Sequence, residues 1–267
     1  MKKYNKQLAA TSLFQQPQHD VVLTKGTAPL PCFFTQVVYN ALLFVADKPA
    51  VHAELAQSGL KPALYWLGRP VVAIGCIRYL QSDLGAYDEV ITAVPVVPAS
   101  DTSVSLLNWT NLLASTHRKR VGQYILDIPV TSERSCIAGN ELWGYPKIVA
   151  PIAQAFQHRS IHTTVTDPET GALVVRVAGS YGMGLPAVPV PLLTYSFRNE
   201  QLLRTEVAVR GRTWLHLFPD IRLLAGDDRH PMAARWHRLG LHNARALALL
   251  RTPRFQSVFF AGKIVRA

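Results

Sequence analysis

The chain has 267 residues, of which 49% are hydrophobic and 17% charged, and a formal net charge of +11. This composition supplies a sizeable core and excludes a disordered or fibrous chain. No apolar run reaches the roughly 18–20 residues that a membrane span needs, and Gln15, Gln16, Gln18, His19 and Asp20 stand where a signal-peptide core would lie. Residues 1–30, broken by Pro17 and Pro29, read as an extended arm, and 31–267 as a single domain. Strands are predicted over 35–46, 71–79, 90–97, 120–130 and 148–157 from apolar, β-branched runs. A short helix is predicted over 49–57 before the Ser58-Gly59 turn. Further strands follow over 160–166 and 172–178, joined by the turn at 167–171, and over 204–210 and 213–217. A helix is predicted over 231–250, with Ala233, Trp236, Leu239, Leu247 and Leu250 on one face and Gly240 weakening its middle. A last strand covers 257–265. Many strands and few helices give an α+β fold, a curled antiparallel β-sheet or barrel with a C-terminal helix on it.

Cys32, Cys76 and Cys136 are odd in number and far apart, so they form neither a disulfide framework nor a zinc pattern. That suits a reducing compartment, and a cytoplasmic location is the expectation. The basic residues are dispersed, with no interleaved aromatic stripe, and do not read as a nucleic-acid surface. Their densest cluster, Arg118-Lys119-Arg120, is expected to be a solvated loop. His158 and His162 stand four apart in a segment that reads as strand, where that spacing is about 13 Å, so no metal site is expected. The glycines of 179–184 lack the Gly-Lys-Ser/Thr ending of a phosphate cradle. No cofactor, no nucleic acid and no membrane is expected.

The most informative segment is Asn140-Glu141-Leu142-Trp143-Gly144-Tyr145-Pro146-Lys147-Ile148. Its lysine follows a rigid Gly-Tyr-Pro turn and opens an apolar strand, a poor position for a solvated ammonium. Attack on a carbonyl needs the neutral amine, which for a free lysine at pH 7 is about one molecule in 2,500. Burial disfavours the ammonium and can close that gap, so the chemistry requires a lysine held out of water.

The segment resembles the lysine motif of the acetoacetate decarboxylase superfamily. Gly85-Ala86-Tyr87-Asp88-Glu89, followed by Val94-Pro95-Val96, is similar to that family's upstream strand. The 213–218 stretch is similar to its late apolar strand. The resemblance implies that Lys147 forms a Schiff base with a carbonyl or keto-acid substrate, that Glu89 orients polar groups or moves a proton, and that Glu141, Trp143, Tyr145 and Tyr87 contact the substrate. It also implies a homo-oligomer. Three positions depart from the pattern. Ile148 replaces the second lysine, Val37 stands where the family has an arginine, and Ile74 stands near a further pocket glutamate. The expected activity is that of a lyase, with decarboxylation of a β-keto acid first. The alternatives are an aldolase, dehydratase or cyclase acting on a larger apolar carbonyl compound, and a non-catalytic small-molecule binder.

Overall fold

The computed structural model describes residues 12–102, 105–114 and 118–265. Within the expected arm, β1 (His19–Val22) and β2 (Thr27–Leu30) form an antiparallel hairpin, and the rest of the arm, 1–11, lies outside the described residues. β3 (Cys32–Val45) leads into α1 (Lys48–Leu55), where the Asp47 carboxylate accepts from the Ala50 N–H and Pro49 occupies the first turn. β4 (Leu60–Pro62), β5 (Tyr65–Trp66), β6 (Arg69–Ser82), β7 (Tyr87–Pro98), α2 (Ser105–Asn111) and β8 (Gly122–Val130) follow. Next come α3 (Glu133–Trp143) and β9 (Lys147–Val149). β10 (Ile152–Gln157), β11 (Ser160–Thr166), β12 (Leu173–Ser180), β13 (Leu185–Ala187), β14 (Leu192–Arg198), β15 (Gln201–Arg210), β16 (Thr213–Leu217) and β17 (Asp220–Ala225) supply most of the remaining strands. The chain closes with α4 (Pro231–Arg238), β18 (Ala248–Phe259) and β19 (Lys263–Ile264).

Seven strands, β3-β6-β7-β8-β14-β15-β18, form a closed barrel, because β15 pairs back onto β18. An odd ring cannot alternate strand direction throughout, so at least one neighbouring pair must run parallel. Here that pair is β8–β14. A second antiparallel sheet, β10-β11-β12-β17, packs on the outside. Between the two lies the main core. Leu42, Phe44, Val72, Ile74 and Cys76 from the barrel's outer face meet Ile161, Val177, Ile221 and Leu223, together with Trp236 of α4. Strand alternation sends the intervening residues Tyr39, Ala41, Leu43, Ala73, Gly75 and Ile77 into the lumen. No helix among the described residues is long and apolar enough to cross a membrane.

The expected C-terminal helix is present but short. Leu239 caps it and Gly240 follows with φ +67°, a left-handed turn that ends the helix. Residues 248–250 pair instead with Leu43, Leu42 and Ala41 of β3. Leu250 therefore faces the lumen rather than a helix stripe, since closing the barrel satisfies more backbone than extending a helix past a glycine would. α4 is anchored by Arg235, which pairs with Glu54 at 3.1 Å and with Asp127, and by the Trp236 Nε1–H, which donates to Thr92 Oγ1 at 2.9 Å. The expected strand over 148–157 is broken at Ala150-Pro151. β9 runs parallel to β8, whereas β10 joins the outer sheet.

Trp236 is fully buried against both layers, so Trp236→Ala should cost about 3–5 kcal/mol, read by urea denaturation. Loss below about 1 kcal/mol would mean that α4 is not docked as described.

Candidate active site

Lys147 sits where α3 hands the chain to β9. Ser132 starts α3, its hydroxyl accepting from the Ser135 N–H, and Gly144 ends it with φ +63°. A Cβ at Gly144 would lie 2.4 Å from the Phe197 carbonyl oxygen, so close packing requires glycine there as well. Asn140 holds the lysine backbone from both sides. Its Oδ1 accepts from the Lys147 N–H at 2.9 Å, and its Nδ2 donates to the Lys147 C=O at 3.2 Å. The lysine side chain then crosses Gly139, where a Cβ would come 2.4 Å from Cδ and 2.6 Å from Cε. Gly139 is thus the gap through which the lysine reaches the barrel.

Inside, Lys147 Nζ donates to Glu89 Oε2 at 2.6 Å and to Ser135 Oγ at 3.0 Å. The two charged side chains are 5% and 3% exposed. The Tyr79 hydroxyl donates to Glu89 Oε1 at 3.1 Å. The Tyr87 ring lies 5.4 Å from Nζ and stacks on Tyr79 with centroids 4.3 Å apart. Burial first, and then the Glu89 charge, push both phenols well above their usual range, so both remain protonated at neutral pH. Trp143 Nε1–H donates to the Phe260 C=O at 2.8 Å, and the Tyr145 hydroxyl bonds Thr194 Oγ1 at 2.7 Å. Those bonds fix two aromatic walls beside the lysine.

The site opens into one cavity of about 560 Å³ inside the barrel. Among its described lining residues Lys147 and Glu89 are the charged ones, and most of the others are apolar. Lys147, Glu89, Tyr87, Trp143 and Tyr145, all singled out from the sequence, line it together.

Glu141 does not join them. It projects from another face of α3, and its Oε2 accepts from the Thr24 N–H at 3.0 Å, tying down the β1–β2 hairpin. Val37 and Ile74 also stay outside the cavity. Val37 is buried in the cluster around Phe34 and Tyr79, and Ile74 points outward into the main core. Neither residue therefore makes the pocket apolar. Ile148 is 43% exposed and faces away from Lys147, as an extended chain requires.

The basic cluster is only partly solvated. Arg118 and Arg120 are exposed, whereas Lys119 is buried and donates to the Leu112 C=O. Burial lowers its pKa to about 8. No group of three potential metal ligands occurs among the described residues.

Ser135, Gly139, Asn140 and Tyr79 were not legible as site residues. A signal existed in Ser132 and Gly144, which bracket α3 as cap and stop and place Ser135 and Gly139 four apart on one face.

The family model for acetoacetate decarboxylase matches residues 25–205. The chain belongs to the acetoacetate decarboxylase family. That stretch contains Glu89, Ser135 and Lys147. Several solved structures share the fold. An acetoacetate decarboxylase is 17% identical with a TM-score of 0.63, over 91% of both chains. The acetoacetate decarboxylase of Legionella pneumophila is 17% identical with a TM-score of 0.61, over 97% of this chain and 95% of its own. The enduracididine biosynthesis enzyme MppR, complexed with the condensation product of pyruvate and imidazole 4-carboxaldehyde, is 13% identical with a TM-score of 0.61, over 86% and 87%. No curated protein matches the sequence.

Gly139→Ala tests the lysine's route into the cavity. Alanine favours the helix by about 1 kcal/mol, so the fold should persist while the Lys147 side chain is displaced. Trapping of a carbonyl compound on the protein should then slow by about a hundredfold, the cost of misplacing a reacting atom by roughly 1 Å. Unchanged trapping would show that Gly139 does not position the amine.

Proposed function

We propose that this protein is a Schiff-base enzyme in which Lys147 condenses with the carbonyl group of a small-molecule substrate and a bond β to the resulting iminium is broken. The observation that carries the reading is a buried amine 2.6 Å from a buried carboxylate, at the inner end of an apolar cavity. In this reading Glu89 first takes a proton from the Nζ ammonium, which frees the lone pair that attacks, and later returns it to the carbinolamine oxygen. The carbinolamine oxygen is protonated and leaves as water. The iminium that forms is positive and lies against the Glu89 carboxylate, which offsets its charge in a site of low dielectric.

With a β-keto acid, the carbon–carbon bond to the carboxylate then breaks. Its electrons move into the enamine and carbon dioxide departs. The enamine takes a proton at carbon from water, relayed by Glu89 and the Tyr79 hydroxyl hydrogen-bonded to it, and the hydroxide left behind adds to the iminium, releasing the ketone and restoring the amine. Trp143, Tyr145 and Tyr87 form the walls that orient the substrate. Apolar surroundings suit this step, because charge is dispersed as the carboxylate becomes neutral carbon dioxide.

A second reading within the same chemistry is retro-aldol cleavage, dehydration or cyclisation. The absence of an arginine or histidine from the described cavity lining favours it, since no cation besides Lys147 is placed there to hold a substrate carboxylate.

Incubation with acetoacetate, simple ketones or aldehydes, followed by borohydride and peptide mass mapping, tests the amine. The expected result is a reduced adduct on Lys147, lost in Lys147→Ala. Substrates that bind but leave no adduct there would turn the reading towards a non-catalytic binder. Glu89→Gln keeps the side-chain shape but removes the proton acceptor, and adduct formation should slow by roughly a hundredfold or more. Release of carbon dioxide from β-keto acids separates the two bond-breaking readings.

A further inference from the structure

The cavity is much larger than the reacting centre requires. At about 30 Å³ for an atom the size of a water oxygen, its 560 Å³ would hold roughly eighteen heavy atoms. A small β-keto acid such as acetoacetate fills well under half of that. The extra space runs along the barrel axis. On β7 the inward residues are Glu89, Ile91, Ala93 and Pro95, and six residues at about 3.3 Å each, tilted by about 40°, cover roughly 15 Å along that axis.

The bore is open because its middle is lined by small side chains: Ala41, Ala73, Gly75, Ala93 and Ala248. The register brings them together. Ala73 lies opposite Ala93, Gly75 lies opposite Ala41, and Ala248 faces Leu43, which in turn faces Ala73. In barrels whose interior is filled, such layers carry bulky branched residues. Beyond them the lining ends in Trp66, Leu113, Leu217 and Phe218, all exposed, which form an apolar mouth. Gln123 is the polar exception near that end, paired by register with Pro95 and with its Oε1 buried and unpartnered.

We infer that the substrate of Lys147 carries an unbranched hydrocarbon chain of about ten to twelve carbons, since an extended chain advances roughly 1.25 Å per carbon and the bore runs roughly 15 Å. Its carbonyl sits at Nζ and its tail lies along the small-residue channel towards the mouth. The inference rests on the Schiff-base reading for the position of the carbonyl and on the bore alone for the chain. A compact keto acid would leave the channel unfilled, whereas a chain buries apolar surface at every carbon.

The test has two arms. In the first, the wild-type protein is titrated with acetone, 2-pentanone, 2-octanone and 2-undecanone, each trapped by borohydride and read by intact mass. The half-saturating concentration should fall about three- to fourfold per added methylene, the factor expected for burying one. Filling the channel by Ala73→Leu or Ala93→Leu should erase at least tenfold of the preference for 2-undecanone over acetone. In the second arm, 1-decanol and 1-butanol, which cannot form an imine, are compared by tryptophan fluorescence, since Trp66, Trp109 and Trp143 line the cavity. Tighter binding of 1-decanol by at least tenfold supports the bore. Adducts that form equally well at every chain length would overturn the inference and leave the lysine reading intact. Chain-dependent alcohol binding with no ketone adduct would sink the lysine reading and leave the bore.

Discussion

The contact on which the site depends is the buried pair of Lys147 and Glu89, 2.6 Å apart at the inner end of the barrel. A pair of this kind is costly to bury and adds little stability compared with apolar packing. Its surroundings spread that cost. Tyr79 donates to the second carboxylate oxygen, Ser135 accepts from the amine, and the Tyr87 ring faces the nitrogen. Under the proposed Schiff-base chemistry, the proton shared by Nζ and Oε2 is also the one that imine formation would have to move, so one geometry would serve both the resting protein and that step.

The rest of the fold keeps that pair in place while leaving a void beside it. A hollow barrel lumen forgoes packing that most domains use for stability. Here the packing is moved outside, where Leu42, Phe44, Val72 and Ile74 meet the second sheet and α4. Strand alternation makes this division possible, because each barrel strand turns one set of residues to a dense core and the other to the cavity. The lumen can then carry alanine and glycine with the stabilising layer elsewhere.

Two departures from the family pattern lose their force once side-chain direction is known. Ile74 and Val37 look in sequence like polar pocket groups replaced by apolar ones, yet neither reaches the cavity. The apolar character of the pocket comes instead from Ile77, Ile91, Leu43 and the aromatic walls. Ile148 turns outward, so the position after Lys147 bears on the amine only at a distance.

Much of the site could be read without coordinates. The Trp-Gly-Tyr-Pro-Lys run is local, and the stiffness of Gly144 and Pro146 acts within a few residues, so the sequence alone singled out Lys147. The β-branched runs likewise marked most barrel strands, since their pattern reports a pleated, buried surface. The C-terminal helix was overextended because helical periodicity past Gly240 competes with pairing to β3, a partner two hundred residues away. α3 was missed because its cap and stop signals flank a weakly apolar segment whose Gly139 and Asn140 disfavour a helix in isolation. Which side chains meet Lys147 was a tertiary decision. Glu89 and Tyr79 arrive from a hairpin more than fifty residues upstream, and Glu141 turns away although it is six residues from the lysine. Sequence proximity sets backbone conformation, but barrel closure and helix rotation set which atoms touch, and the chemistry depends on the touching atoms.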